Sequence, residues 1–316
     1  MITSYTKKRR DGLSLIEVIV VLAVIGILVA LILPAIQGAR EAARRAVCFN
    51  NLKQIGVAVQ AYQAAFGCYP LANTPTLYSV NVAILPFLEA RAIYDSVNFT
   101  FDAFSPPAEN ETVSSLRFAI YLCPSDSFPG VSPLGGTSYV GNRGVGVQKF
   151  GYNGLFATSF QPPVRDADIL DGTSQTACAS EQVFGVAAGN DPRRRVLRVE
   201  PSLPRPNQFD SFAVTCQSLV WRGGTDAWPD RGLNWLAGEF GYTLYNHTLT
   251  PNSHSCLNGT RVQEGAWTTG SFHDGNVHLL FADGHTRAVK DSIDLSIWRS
   301  LGSRNGREII DTGRLE

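Results

Sequence analysis

The chain has 316 residues, 44% of them hydrophobic and 17% charged, with 27 basic and 27 acidic side chains. That apolar share excludes a chain disordered throughout, and the charge balance excludes nucleic-acid binding through bulk positive charge. The length suffices for one large or two ordinary cores.

The charge is unevenly placed. Lys7, Lys8, Arg9 and Arg10 crowd the start, opposed only by Asp11. Residues 13–33 are then apolar except for Ser14, Glu17 and Gly26. As a helix, residues 13–34 span roughly 33 Å, which matches a bilayer core of about 30 Å. Only a helix satisfies its own backbone there. The four cations predict a cytoplasmic N-terminus, with everything after Pro34 outside. The run is too long for a secretory signal peptide, and helical sequence follows it. A simple anchor accounts for length and charge but leaves Glu17 without a purpose. A carboxylate at mid-membrane costs about 2.5–3.5 kcal/mol, and less near an end.

The string Arg9-Arg10-Asp11-Gly12-Leu13-Ser14-Leu15-Ile16-Glu17 resembles the type IV prepilin and pseudopilin signature. Residues 1–12 are then a leader ending in Gly12, and Glu17 is the fifth residue of the mature chain. Leu13 stands where that family usually has Phe. The resemblance implies cleavage after Gly12 and methylation of the Leu13 amine by a prepilin peptidase. A free α-amine is mostly cationic at neutral pH. In a bundle of such helices, Glu17 of one copy neutralises that amine on its neighbour and fixes the register. Pro34 lacks an N–H and kinks the helix, which a membrane tolerates.

Residues 35–66 continue as helix. Cys48, Leu52, Ile55, Val59, Tyr62 and Phe66 fall on one face, with Arg44, Asn51, Lys53 and Gln54 opposite. Gly67 stops the helix. From 67 to 316 the texture is that of strands and turns. Residues 82–94 form a short helix interrupted by Pro86, 111–121 a second, and 176–183 a strand. Residues 191–207, rich in Pro and Arg, form an exposed insertion. The clearest signal is a hairpin over 277–289, in which Asp283-Gly284 gives a primed turn with both central residues at positive φ. Alternation puts His278 and Leu280 on one strand face, with Leu279 and Phe281 on the other.

His273, nine residues and then Asp283-Gly284 resembles the signature of a large planctomycete-type pilin-like family, domain of unknown function 1559. The segments at 48–55, 122–126, 138–142 and 168–174 resemble its other motifs in order, and Glu181 falls where it often has an acidic residue. The resemblance implies an α+β, pilin-like fold, in which a long N-terminal helix packs on a β-rich head.

Six cysteines, Cys48, Cys68, Cys123, Cys178, Cys216 and Cys256, are even in number and expected outside the cytoplasm. Disulfides are therefore expected, with the pairing open. No CxxC spacing points to zinc. His273 with Asp283 or His285 offers a metal reading. The blander reading has His273 bonding a turn and Asp283 shaping the hairpin. Asp166, Asp168 and Asp171 suggest calcium, but Leu170 breaks the loop pattern. Trp221, Trp228, Trp235, Trp267 and Trp298 read as a sugar-stacking surface or, more simply, as core.

No metal, cofactor or catalysis is expected. The chain reads as a structural subunit of a type IV pilus-like or type II secretion pseudopilus-like filament. Its partners are the peptidase, membrane lipid and copies of itself or related pseudopilins, with no nucleic acid. It is a single-pass inner-membrane protein with a periplasmic or cell-surface head. Two alternatives differ in class: a tethered module that binds polysaccharide or cell wall, and an ectoenzyme using the region of His273 and Asp283.

Overall fold

The computed structural model describes residues 15–104, 108–126, 132–147, 152–185, 191–202, 209–221 and 227–308. Two compact units result, residues 1–44 and 45–316.

Helix α1, Leu15–Phe66, has 52 residues and continues through Pro34. In the first unit it is long and apolar enough to cross a membrane, and none of its most apolar stretch is buried. Arg44 pairs with Glu41 one turn back, at 2.5 Å.

The second unit holds the rest of α1 and short helices α2 (Val80–Ala83), α3 (Arg91–Asp95), α4 (Ala108–Ser114), α5 (Phe209–Ser218) and α6 (Leu295–Gly302). Its strands are β1 (Tyr139–Asn142), β2 (Ala177–Glu181), β3 (Val196–Val199), β4 (Leu244–Tyr245), β5 (Ser255–Asn258), β6 (Arg261–Ala266), β7 (Asn276–Phe281) and β8 (Thr286–Lys290). A five-stranded sheet has the order β4-β1-β2-β7-β8, and a three-stranded sheet the order β3-β5-β6. The fold is α+β: a long N-terminal helix and a β-rich head.

Strand β7 is buried on both faces, and its alternation separates two cores. Leu280 joins the cluster that contains Cys48, Leu52, Ile55 and Val59 of α1. Val277, Leu279 and Phe281 join Trp298 and Leu301 of α6. Burying Leu52, Ile55 and Val59 stabilises this docking by about 1.5–3 kcal/mol each. Gly56 makes the close approach possible, since a Cβ there would lie 2.6 Å from a Leu280 methyl. The helix ends at Gly67, whose φ of 70° is readily available only without a side chain.

Four local expectations need correction. Asn51 is buried, because its amide donates to the carbonyls of Ala119 and Leu122 at 3.4 and 3.1 Å. The stretch after Asp191 is not an insertion: β3 pairs in parallel with β5, and Val196 and Val199 are buried. Helix 111–121 divides into α4 and a 3-10 turn, Ala119–Tyr121. The β7–β8 turn is not primed. Gly284 N–H donates to Phe281 O at 3.0 Å and only Gly284 of the turn has positive φ, 90°. This is a three-residue loop with glycine in the left-handed position, one of the standard hairpin solutions.

Candidate functional site

The residues singled out in the sequence fall in three places. Gly12 and Leu13 lie outside the described residues. Glu17 sits in the first turn of α1, on an exposed apolar helix. The C-terminal signature lies in the head, its two parts at opposite ends of β7. Its nine-residue spacing is the length of that strand with the turns flanking it.

The His273 end forms a buried polar cluster. The antiparallel register of β2 and β7 sets Ser180 against Leu279, which brings Glu181 beside His278. Glu181 Oε2 accepts the His278 backbone N–H at 2.8 Å. Glu181 Oε1 lies 3.0 Å from His278 Nδ1 and 3.2 Å from His273 Nε2. Both rings therefore point N–H groups at the carboxylate. Burial alone would raise the Glu181 pKa. Hydrogen bonds from His273 and His278, with their charge, outweigh it and hold the carboxyl down at about 2. The His273 ring thus bonds a carboxylate on the neighbouring strand, while its backbone bonds the turn, its N–H donating to Ser271 Oγ at 3.2 Å and its carbonyl accepting from Asn276 N at 3.5 Å.

The second unit's part of α1 covers this cluster. Phe49 packs edge-on to His278 with centroids 5.2 Å apart, and Tyr139 OH donates to Cys48 O at 3.1 Å. Cys48 and Cys123 form a disulfide, and Cys123 Sγ lies 3.8 Å from His273 Nε2. Side-chain exposure is 0% for His273 and 2% for Glu181. The cluster is therefore closed to solvent.

At the other end, Asp283 Oδ1 accepts from His285 N at 3.0 Å and lies 2.6 Å from His285 Nδ1. Asp283 therefore shapes its own turn. The preceding Ala282 carbonyl accepts from Gln60 of α1 and, at 3.2 Å, from Tyr69 OH. Both ends of the signature face the helix, and the structure does not bring His273 and Asp283 together.

The remaining candidates have plain roles. Cys216 and Cys256 form a second disulfide, while Cys68 and Cys178 are free thiols. Cys48, Cys123, Glu181 and His273 have donor atoms within 4.8 Å of one another, as do Cys216, His254 and Cys256. Both sets spend their sulfurs in a disulfide, so neither holds a metal while oxidised. Asp166 accepts from Gln63, Asp168 from Arg165 N and Asp171 from Gly306 N, so these carboxylates tie loops. Trp235, Trp267 and Trp298 are core, exposed by 2% or less, and make no sugar platform. Sequence reasoning missed the pairing of Glu181 with two histidines, although each residue had been noticed.

An apolar first helix carrying one early acid, joined to a β-rich head that docks on the helix's second half, defines a pilin-like protein. A family model described as the prokaryotic N-terminal methylation motif matches residues 7–33, which marks the chain for type IV pilin-like processing. A second, described as protein of unknown function (DUF1559), matches residues 37–296. The chain belongs to this family. Comparison with curated proteins and with solved structures gave no match.

Proposed function

We propose that the chain is a structural subunit of a pilus-like or pseudopilus-like filament rather than an enzyme. The supporting observation is the coincidence of the methylation motif with the exposed apolar first half of α1, which carries Glu17 in its first turn. An exposed apolar surface of that length needs a partner, which is lipid before assembly and other helices after it. A carboxylate carried into a helix bundle is stabilised by a cation beside it, since charge is costly to bury there. The methylated amine of a neighbouring Leu13 supplies one. In this reading a prepilin peptidase cuts after Gly12, the N-terminus faces the cytoplasm, and the head lies in the periplasm or at the cell surface. The buried Glu181 cluster is structural: it fixes the sheet against the helix and carries no chemistry.

The test is Glu17→Ala in the native host, with crosslinking through engineered cysteines on residues 18–33. Wild-type chains should give a ladder of multimers, and the variant should be cleaved at Gly12 but give monomers. A ladder unchanged by the substitution, or no ladder from the wild type, refutes the reading.

A further inference from the structure

The head contains a cleft of about 210 Å³ that the filament reading does not use. Phe104, Phe160 and Phe240 form its apolar walls, while Arg143, Glu239 and Gln263 supply its charged and polar groups. Phe160 is 80% exposed, and Phe240 is buried. A phenyl ring so open to water beside a cleft has an evident use as a wall against which a ligand stacks.

The floor is the more telling part. Arg143 is only 2% exposed, yet among the described residues its guanidinium makes one hydrogen bond, from Nη1 to Phe156 O. Burial draws its pKa down to about 10, against the opposing pull of Tyr152 and Glu239. A guanidinium has five N–H donors, so several remain for an acceptor in the cleft. Glu239 lies opposite in charge, with Gln263 Nε2 donating to its Oε2 at 3.0 Å. The lining also includes Leu77, a branched residue held at a φ of 65°. Strain of this kind concentrates at ligand sites.

The charges select the ligand. A lone carboxylate would meet Glu239, and a lone amine would meet Arg143. A hydroxyl both donates and accepts, so it satisfies both groups without a net charge. The volume is below the roughly 300–1,000 Å³ of sites for drug-sized ligands, which limits the occupant to about one ring. We propose that this cleft binds a single neutral sugar residue, its C–H face on the phenyl rings and its hydroxyls on Arg143, Glu239 and Gln263. The ring is either a free monosaccharide or the terminal residue of a glycan.

The test uses the full chain in detergent, where binding does not depend on assembly. Saturation-transfer NMR is recorded with D-glucose, D-galactose, D-mannose and N-acetyl-D-glucosamine, then with maltotriose and chitotriose, and with L-phenylalanine as a zwitterion. A ligand of this size should bind with a Kd on the order of 1 mM. Transfer confined to one end ring of a trisaccharide identifies a glycan terminus, and equal transfer to the monosaccharide identifies free sugar; either supports the proposal. Phe160→Ala, at an exposed position that leaves the core intact, should weaken binding about five-fold. Gln263→Ala should weaken it as well, with circular dichroism unchanged. No transfer to any sugar at about 50 mM, far above the expected Kd, overturns the proposal. So does binding that both variants leave intact, or preference for L-phenylalanine.

Discussion

Replacing Glu181 by Gln tests the account of the buried cluster most directly. The carboxylate accepts three hydrogen bonds, two at Oε1 and one at Oε2. An amide presents only one oxygen. In either orientation its NH2 faces at least one N–H that had been satisfied, which leaves buried donors opposed at a cost of about 1–3 kcal/mol. The charge adds a pH-dependent part. Burial raises the Glu181 pKa and the two histidines lower it by more, so the folded value of about 2 lies below the ordinary 4.5. As pH falls, the unfolded chain takes up this proton first. The stabilisation is therefore fully present above pH 4.5 and is lost as pH falls toward 2. At about 1.4 kcal/mol per pH unit, the linkage amounts to about 3 kcal/mol. His247 also titrates. Burial holds it neutral, with its pKa near 3 against 6.5, so protonation favours unfolding as pH drops through that interval. It does so equally in both proteins and cancels in their difference. Urea unfolding of full-length chains in detergent, from neutral pH to about pH 2.5, reads that difference. Glu181→Gln should cost about 3 kcal/mol at neutral pH, with the gap closing below pH 4.5. A loss under about 1 kcal/mol, with the same acid slope as wild type, refutes the clamp.

Two further outcomes follow from the cysteines. Replacing Cys48 and Cys123 together by Ala reopens a loop of 75 residues, which chain entropy values at about 4.5 kcal/mol; thermal unfolding without reductant should show most of that loss. Alkylation of the native protein should modify Cys68, which is partly exposed, and spare Cys178, which is buried and whose thiol burial pushes well up. Intact-mass analysis should therefore find one adduct before denaturation and two after it, and a native double adduct would contradict the packing of β2.

Helix α1 and the β7–β8 hairpin were legible because each writes its period or turn residues into a short stretch of sequence. The family signature was legible as a spacing, but its meaning was not. The partners of His273 and His278 are set by the β2–β7 register, a tertiary fact with no local trace. Asn51 read as a solvent residue because periodicity cannot show that the carbonyls of Ala119 and Leu122 lie within reach of its amide. The strand at 196–199 was masked by the prolines and arginines around it, since a parallel partner 59 residues later (Ser255 for Val196) leaves no turn signal between them. The sugar cleft was illegible for the same reason: Phe104, Arg143, Phe160 and Glu239 come from four separate segments.

The bond from Cys48 to Cys123 also has a mechanical consequence. If tension enters the head and leaves through the first unit's helix, it passes within a few residues of that bond. Without it, only noncovalent contacts would resist peeling the rod's outer turns from the sheet, one side chain at a time. With it, the tug is shunted into the segment at residue 123, and the outer turns behind the staple are spared. In the proposed filament, a reducing agent should therefore weaken the fibre against stretching before it measurably loosens it at rest.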